Sequence, residues 1–196
     1  MKYNMTFRML GTVLNGIVTK EIKDKNISKH IKKSYKEIVL RADDIGSKNK
    51  LLGAYALAAY FIAMNRHDKL TPEENCNLLE NGLRNSKIYK MSMGNSKQYF
   101  SEKNMESRRQ WSKETYKRKY KNDWVVDVLE KTDSYDFGFD YHECGVCKLC
   151  RDEGCFELAK YLCRLDYMTS DIMGIHLKRT MTLADGYEKC DFRFSK

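Results

Sequence analysis

The chain has 196 residues, 42% apolar and 32% charged, with a single proline and a formal net charge of +9. Such a composition suits one domain with a real core and excludes a linker-dominated or disordered chain. The longest apolar run, residues 51–64, is shorter than the roughly 20 residues that a spanning helix needs, so no membrane partner is expected.

Residues 9–18 are apolar but broken by Gly11, Asn15 and Gly16, and no small-residue cleavage site follows. A secretory signal is therefore not expected. Together with seven cysteines, an odd number and six of them after residue 140, this suggests free thiols in a reducing cytoplasm. Ile31, Tyr35, Ile38, Val39 and Ala42 recur at helical spacing, predicting a helix over 28–44 with Ser28 as its cap and Gly46 as its stop. A second helix is predicted over 50–66. Thr71, Pro72 and Glu74 then form a capping box that opens a third.

From Lys97 to Lys121, nine lysines or arginines face three glutamates, with Tyr99, Phe100, Trp111, Tyr116 and Tyr120 interleaved. Basic and aromatic residues together are the footprint of a nucleic-acid surface. A solvated amphipathic helix over about 96–120 is the simpler account, and no nucleic-acid partner is expected.

After Asn122 the period changes to that of strands, over 124–130 and 136–142. Helical character returns over 147–168, with a break at Gly154. Residues 176–183 and 189–194 alternate again around a turn containing Gly186, which predicts an antiparallel hairpin. The fold class is α+β: N-terminal helices packed with a small antiparallel sheet of about four strands, and a helix inserted between strand pairs. One domain is expected, with a helical part (1–122) and a sheet-and-helix part (123–196).

In that hairpin Leu177, Arg179, Met181 and Leu183 would share one face, and Cys190, Phe192 and Phe194 another. Both faces are mostly apolar and so turn inward. An inward arginine keeps its proton and needs an anion. Asp166, one helical turn from Cys163, is the expected partner of Arg179, with Cys163 and Cys190 beside the pair. Either this is an internal salt bridge flanked by inert thiols, or the guanidinium activates a thiol for nucleophilic chemistry. Cys144 could point into the same place, and His142 is the one histidine near it. Cys144, Cys147, Cys150 and Cys155 leave a metal site open as an alternative, although zinc sites usually take two separated pairs. No phosphate loop or nucleophile elbow is present, and no cofactor is expected.

Several features recur together: Cys144 ten residues before Gly154, the Cys163-x-x-Asp166 pair, Arg179-Thr180-x-Thr182 with Gly186, and the closing Cys190-Asp191-Phe192-Arg193-Phe194. In them the chain resembles the L-2-amino-thiazoline-4-carboxylic acid hydrolase family, well over 120–196 and loosely before. The resemblance implies a hydrolase of cysteine metabolism acting on a non-peptide C–N bond of a cyclic amidine, with 2-amino-thiazoline-4-carboxylate opened to a carbamoyl-cysteine. For that chemistry the candidate attacking groups are Cys163 or Cys190 as nucleophile, or water activated by a carboxylate, with Asp166 as acid and base. Arg179, Thr180, Arg193 and Cys144 would bind substrate, with no metal. Cys147, Cys150 and Cys155 lie outside the shared pattern. A non-catalytic small-molecule-binding module is the alternative.

Overall fold

The computed structural model describes residues 3–196. It opens with two helices packed on each other, α1 (Met5–Ile22) and α2 (Lys25–Arg41). The start of α2 lies three residues before the expected one because Asp24, not Ser28, is the cap; its carboxylate accepts the N–H groups of Asn26 and Ile27 at 2.8 and 3.1 Å. Ala42 ends the helix, ahead of Gly46. Helix α3 (Leu52–His67) is buried from Tyr55 to Met64 almost all round, as its small and aromatic composition requires. Then comes α4 (Pro72–Asn85), with the predicted Thr71–Glu74 capping box formed. The expected helix over 96–120 is in fact two, α6 (Ser96–Tyr99) and α7 (Glu102–Thr115), preceded by α5 (Lys87–Met93). Ser101 accepts the Asn104 N–H and starts α7, which is what divides them.

The sheet contains β1 (Val125–Leu129), β2 (Phe137–Glu143), β3 (His176–Lys178) and β4 (Cys190–Ser195) in the order β1-β2-β4-β3, antiparallel throughout. Helices α8 (Gly145–Asp152) and α9 (Ala159–Met173) lie between β2 and β3 in the chain, joined by a 3₁₀ turn. Gly145 opens α8 where a Cβ would stand 2.5 Å from the Asn122 carbonyl oxygen and 2.8 Å from the Trp124 ring, so only glycine admits this close start.

Two cores result. One surrounds α3 and includes Tyr35, Tyr60, Phe61, Leu149 and Leu165; the other lies beneath the sheet, built from Val126, Phe137, Phe139, Leu177 and Phe194. Strand alternation decides which residues reach the second. Tyr141, Phe139 and Phe137 pair across the ladder with Cys190, Phe192 and Phe194 on the helix-covered face. Asp140, His142, Asp191 and Arg193 consequently point to the opposite face.

The closing hairpin is shorter than its pattern predicts. β3 pairs with β4 only through His176, Leu177 and Lys178. From Arg179 the chain leaves the sheet, because Asp191 takes the N–H groups of Thr180 and Met181 at 2.8 and 2.6 Å. Thr182 then caps a 3₁₀ turn. Arg179, Met181 and Leu183 therefore do not share a strand face.

Candidate active site

Arg179 reaches the expected partner by that departure from the sheet. Its Nη1 donates to Asp166 Oδ2 at 2.6 Å and its Nη2 to the Cys163 carbonyl at 2.9 Å. The guanidinium lies 4.7 Å from the Phe192 ring centroid and 5.1 Å from that of Tyr167, and its side chain is only 4% exposed. Cation–π contacts of this kind hold the fork flat while the carboxylate neutralises it.

Asp166 is different. Its side chain keeps 44% of its accessible surface, yet desolvation is the leading influence on it and raises its carboxyl above the usual range, outweighing Arg179. Asp166 is thus touched by water on one side and by protein on the other. The same combination marks Tyr89, Tyr99, Tyr141 and Cys163, all partly exposed and all raised chiefly by burial, Tyr99 to about 12. Asp166 is electrostatically coupled to each of them and to Cys144 and Cys190. The side chains grouped around Asp166, here termed the recess, come from α9, the α5–α7 segment, the Tyr141–Phe192 part of the sheet and the start of α8.

Five of the sequence-predicted residues meet there: Cys144, Cys163, Asp166, Arg179 and Cys190. They are not chemically alike. Burial pushes the Cys190 thiol up to about 11, and its sulfur accepts the Leu183 N–H at 3.2 Å. Cys163 is raised further, by desolvation first and the Asp166 charge second. Cys144 alone of the three is lowered. A hydrogen bond from the Cys147 thiol is the main cause, with the backbone N–H groups of Val146 and Cys147 adding to it. Cys144 is the N-cap residue of α8; these N–H groups face its sulfur without meeting cap hydrogen-bond geometry. A helix N-terminus stabilises a thiolate by this arrangement.

Thr180 and Arg193 are not brought to the recess. Thr180 gives both its N–H and its hydroxyl to Asp191. Arg193 lies on the other sheet face, where Nη2 is 2.8 Å from Asp140 Oδ1 and Nη1 donates to the Phe139 and Phe192 carbonyls. His142 also points away, with Nε2 2.9 Å from Asp127 Oδ2.

Arg108 was not anticipated. On α7 the stripe Met105, Arg108, Ser112 and Thr115 turns toward the sheet, with the Ser112 hydroxyl donating to the Val126 carbonyl at 2.7 Å. Arg108 lies 4.0 Å from the Tyr99 ring centroid and 4.6 Å from that of Phe137, and donates to the Tyr99 carbonyl at 2.7 Å. Desolvation lowers its pKa, and among the described residues no carboxylate forms an ion pair with it. It faces Tyr99 and Tyr141, the tyrosines that also face Asp166. An arginine at helical spacing among inward residues was the available signal; it was hidden within a basic run.

Among the described residues, no group of three or more histidine, cysteine, aspartate or glutamate side chains is arranged to hold a metal ion. A family profile described as L-2-amino-thiazoline-4-carboxylic acid hydrolase matches residues 49–194. The chain belongs to that family. No curated protein and no solved structure is similar enough to match. The matched span of this family member runs from before α3 to Phe194 in β4 and contains every recess residue, while α1 and α2 lie outside it. No helix among the described residues is long and apolar enough to cross a membrane.

Proposed function

We infer that the recess opens a small carboxylate-bearing cyclic amidine of the 2-amino-thiazoline-4-carboxylate type, in a cytoplasmic setting, with Cys144 as nucleophile. The observation that carries this reading is positional: the half-buried Cys144 at the N-cap of α8, its thiol lowered by Cys147 and the α8 N–H groups, lies within electrostatic reach of Asp166, which Arg179 holds at 2.6 Å. Opposed shifts, the thiol lowered and the Asp166 carboxyl raised, separate nucleophile from acid.

Attack by the Cys144 thiolate falls on the ring carbon between sulfur and nitrogen. An N-carbamoyl-cysteine product keeps both nitrogens on that carbon and requires the carbon–sulfur bond to break, the route written here; an S-carbamoyl product would require the expected C–N bond to break. The ring sulfur leaves with a proton from Asp166, and the substrate stays attached to Cys144 as an isothiourea. Water, deprotonated by Asp166, then adds to the same carbon, and Cys144 departs as the thiolate. Arg179 fixes the carboxyl of Asp166. Arg108 receives the substrate carboxylate, for which a planar guanidinium lacking another anionic partner is suited. Cys163 and Cys190 then serve as recess walls.

Release of free thiol from 2-amino-thiazoline-4-carboxylate tests this. Turnover is expected in the parent protein, with loss of at least 10²-fold in Cys144→Ser and in Asp166→Asn. Quenched parent protein should carry an adduct of full substrate mass on Cys144. Unchanged turnover in Cys144→Ser, with Cys163→Ser inactive, would return the nucleophile to Cys163.

A further inference from the structure

Helix α8 carries a cysteine pair at each end. The second pair stands outside the recess. At its C-terminus the Cys155 N–H donates to the Cys150 carbonyl at 2.9 Å and the Gly154 N–H to the Arg151 carbonyl at 3.0 Å, with Gly154 left-handed at φ +68°. This is a Schellman stop, which brings the side chains on either side of the glycine turn together. In most helices that contact is hydrophobic; here it brings together two thiols, each the leading influence on the other's ionisation. Backbone atoms held by one short hydrogen bond keep the two residues within the Cα separation that a disulfide needs, about 4.4–6.8 Å.

The two sulfurs have different surroundings. Cys150 is fully buried. Cys155 is partly exposed and lines a cleft of about 200 Å³ with Asn65, Arg66, Pro72, Glu157 and others. Arg66 favours the Cys155 thiolate against the opposing carboxylates of Glu157 and Glu153, and the buried Cys150 thiol stands behind it. An attacking and a resolving thiol require that asymmetry.

We propose that Cys150 and Cys155 form a redox-active dithiol that a low-molecular-weight disulfide converts to an intramolecular disulfide across the end of α8. The Cys155 thiolate attacks one sulfur of the external disulfide, whose S–S bond breaks and releases one thiol. Cys150 gives up its proton and attacks Sγ of Cys155, releasing the second. Two protein thiols are oxidised and one external disulfide is reduced to two thiols. The chemistry is independent of turnover in the recess.

The test uses the full chain with Cys144→Ser and Cys147→Ser, which removes the other pair. It is treated with oxidised glutathione under native conditions, alkylated and mapped by peptide mass. The expected product joins Cys150 to Cys155, lighter by two hydrogens and without retained glutathione. Adding Cys150→Ala should trap glutathione on Cys155. Alkylatable Cys155 after treatment, or a glutathione adduct persisting on it while Cys150 is present, overturns the proposal. The first arm decides it even if Cys150→Ala fails to fold.

Discussion

Two arginines on inward positions are handled in opposite ways. Arg179 is neutralised by Asp166 and clamped between Tyr167 and Phe192. Arg108 has aromatic faces and a carbonyl but no carboxylate partner among the described residues. A desolvated guanidinium of this kind gains most from a ligand that brings its own negative charge. Losing a charge-assisted hydrogen bond costs about 1.5–3 kcal/mol, or roughly 10- to 150-fold in affinity. Arg108→Gln should therefore raise KM for the carboxylate-bearing thiazoline by about that factor, with a smaller change in kcat. Arg108→Lys, which keeps the charge but not the fork, should recover part of it. Steady-state kinetics on the decarboxylated 2-amino-thiazoline provide the contrast: parent and Arg108→Gln should treat it alike. An equal loss on both substrates would make Arg108 a packing residue. Arg179 was legible because an arginine among apolar residues demands an anion and Asp166 lies near Cys163 on α9, although the strand expected to carry it ends at Lys178. Arg108 was missed because its segment was judged by charge, while its helical period carried the information.

Helix α8 is only eight residues long and depends on its surroundings. Shorter helices do not persist without tertiary support. At its end Glu153 supplies that support: its side chain is 4% exposed, paired with Arg41 of α2 and with Arg66 of α3, the latter at 2.8 Å. Burial works against the charged carboxylate, but the hydrogen bonds from Arg41 and then Arg66 outweigh it and hold its pKa below the usual value. The unfolded chain then binds the proton more readily than the folded one, so this contribution is complete above the unfolded glutamate pKa of about 4.3 and is lost as pH falls through the lower folded value. Glu153→Gln should lower stability near neutral pH by about 1–3 kcal/mol, at the low end because both guanidiniums are partly solvated. It should also flatten the stability decline below about pH 4.3. Urea midpoints measured across that range check both; an unchanged acid slope rules out the assignment. Local chemistry made some elements readable: the Thr71–Glu74 box lies within four residues, and β1 and β2 came out within a residue or two of their alternation. Helix α1 was not read, since Gly11 and Gly16 looked like interruptions. Gly11 is instead where the Tyr35 ring packs, too close for a Cβ. That contact involves a residue from another helix and leaves no local signature. The shortened hairpin has a similar cause, because Asp191 captures Thr180 and Met181 across the turn.

At the scale of the molecule, the recess takes its walls from both sides of residue 122. Tyr89, Tyr99 and Arg108 come from the helical part; Tyr141, Cys144, Cys163, Asp166 and Arg179 come from the part carrying the sheet. Contacts between α5 and α9, and between α7 and β1, bring the two together. A ligand lodged between them would hold the two cores against each other and would bind the folded chain alone. Mass action then stabilises it by about 2.7 kcal/mol at a hundredfold excess over Kd. With Asp166→Asn to prevent turnover, the thiazoline carboxylate should raise the unfolding temperature in a concentration-dependent way. Hydrogen exchange should slow in α7 and α9 and also in β2 and β4, because opening any wall would release the ligand. Protection confined to α9 and the sheet, with α7 exchanging as before, would mean that the ligand never contacts Arg108. The recess would then end at Tyr141, and the carboxylate would need another receptor.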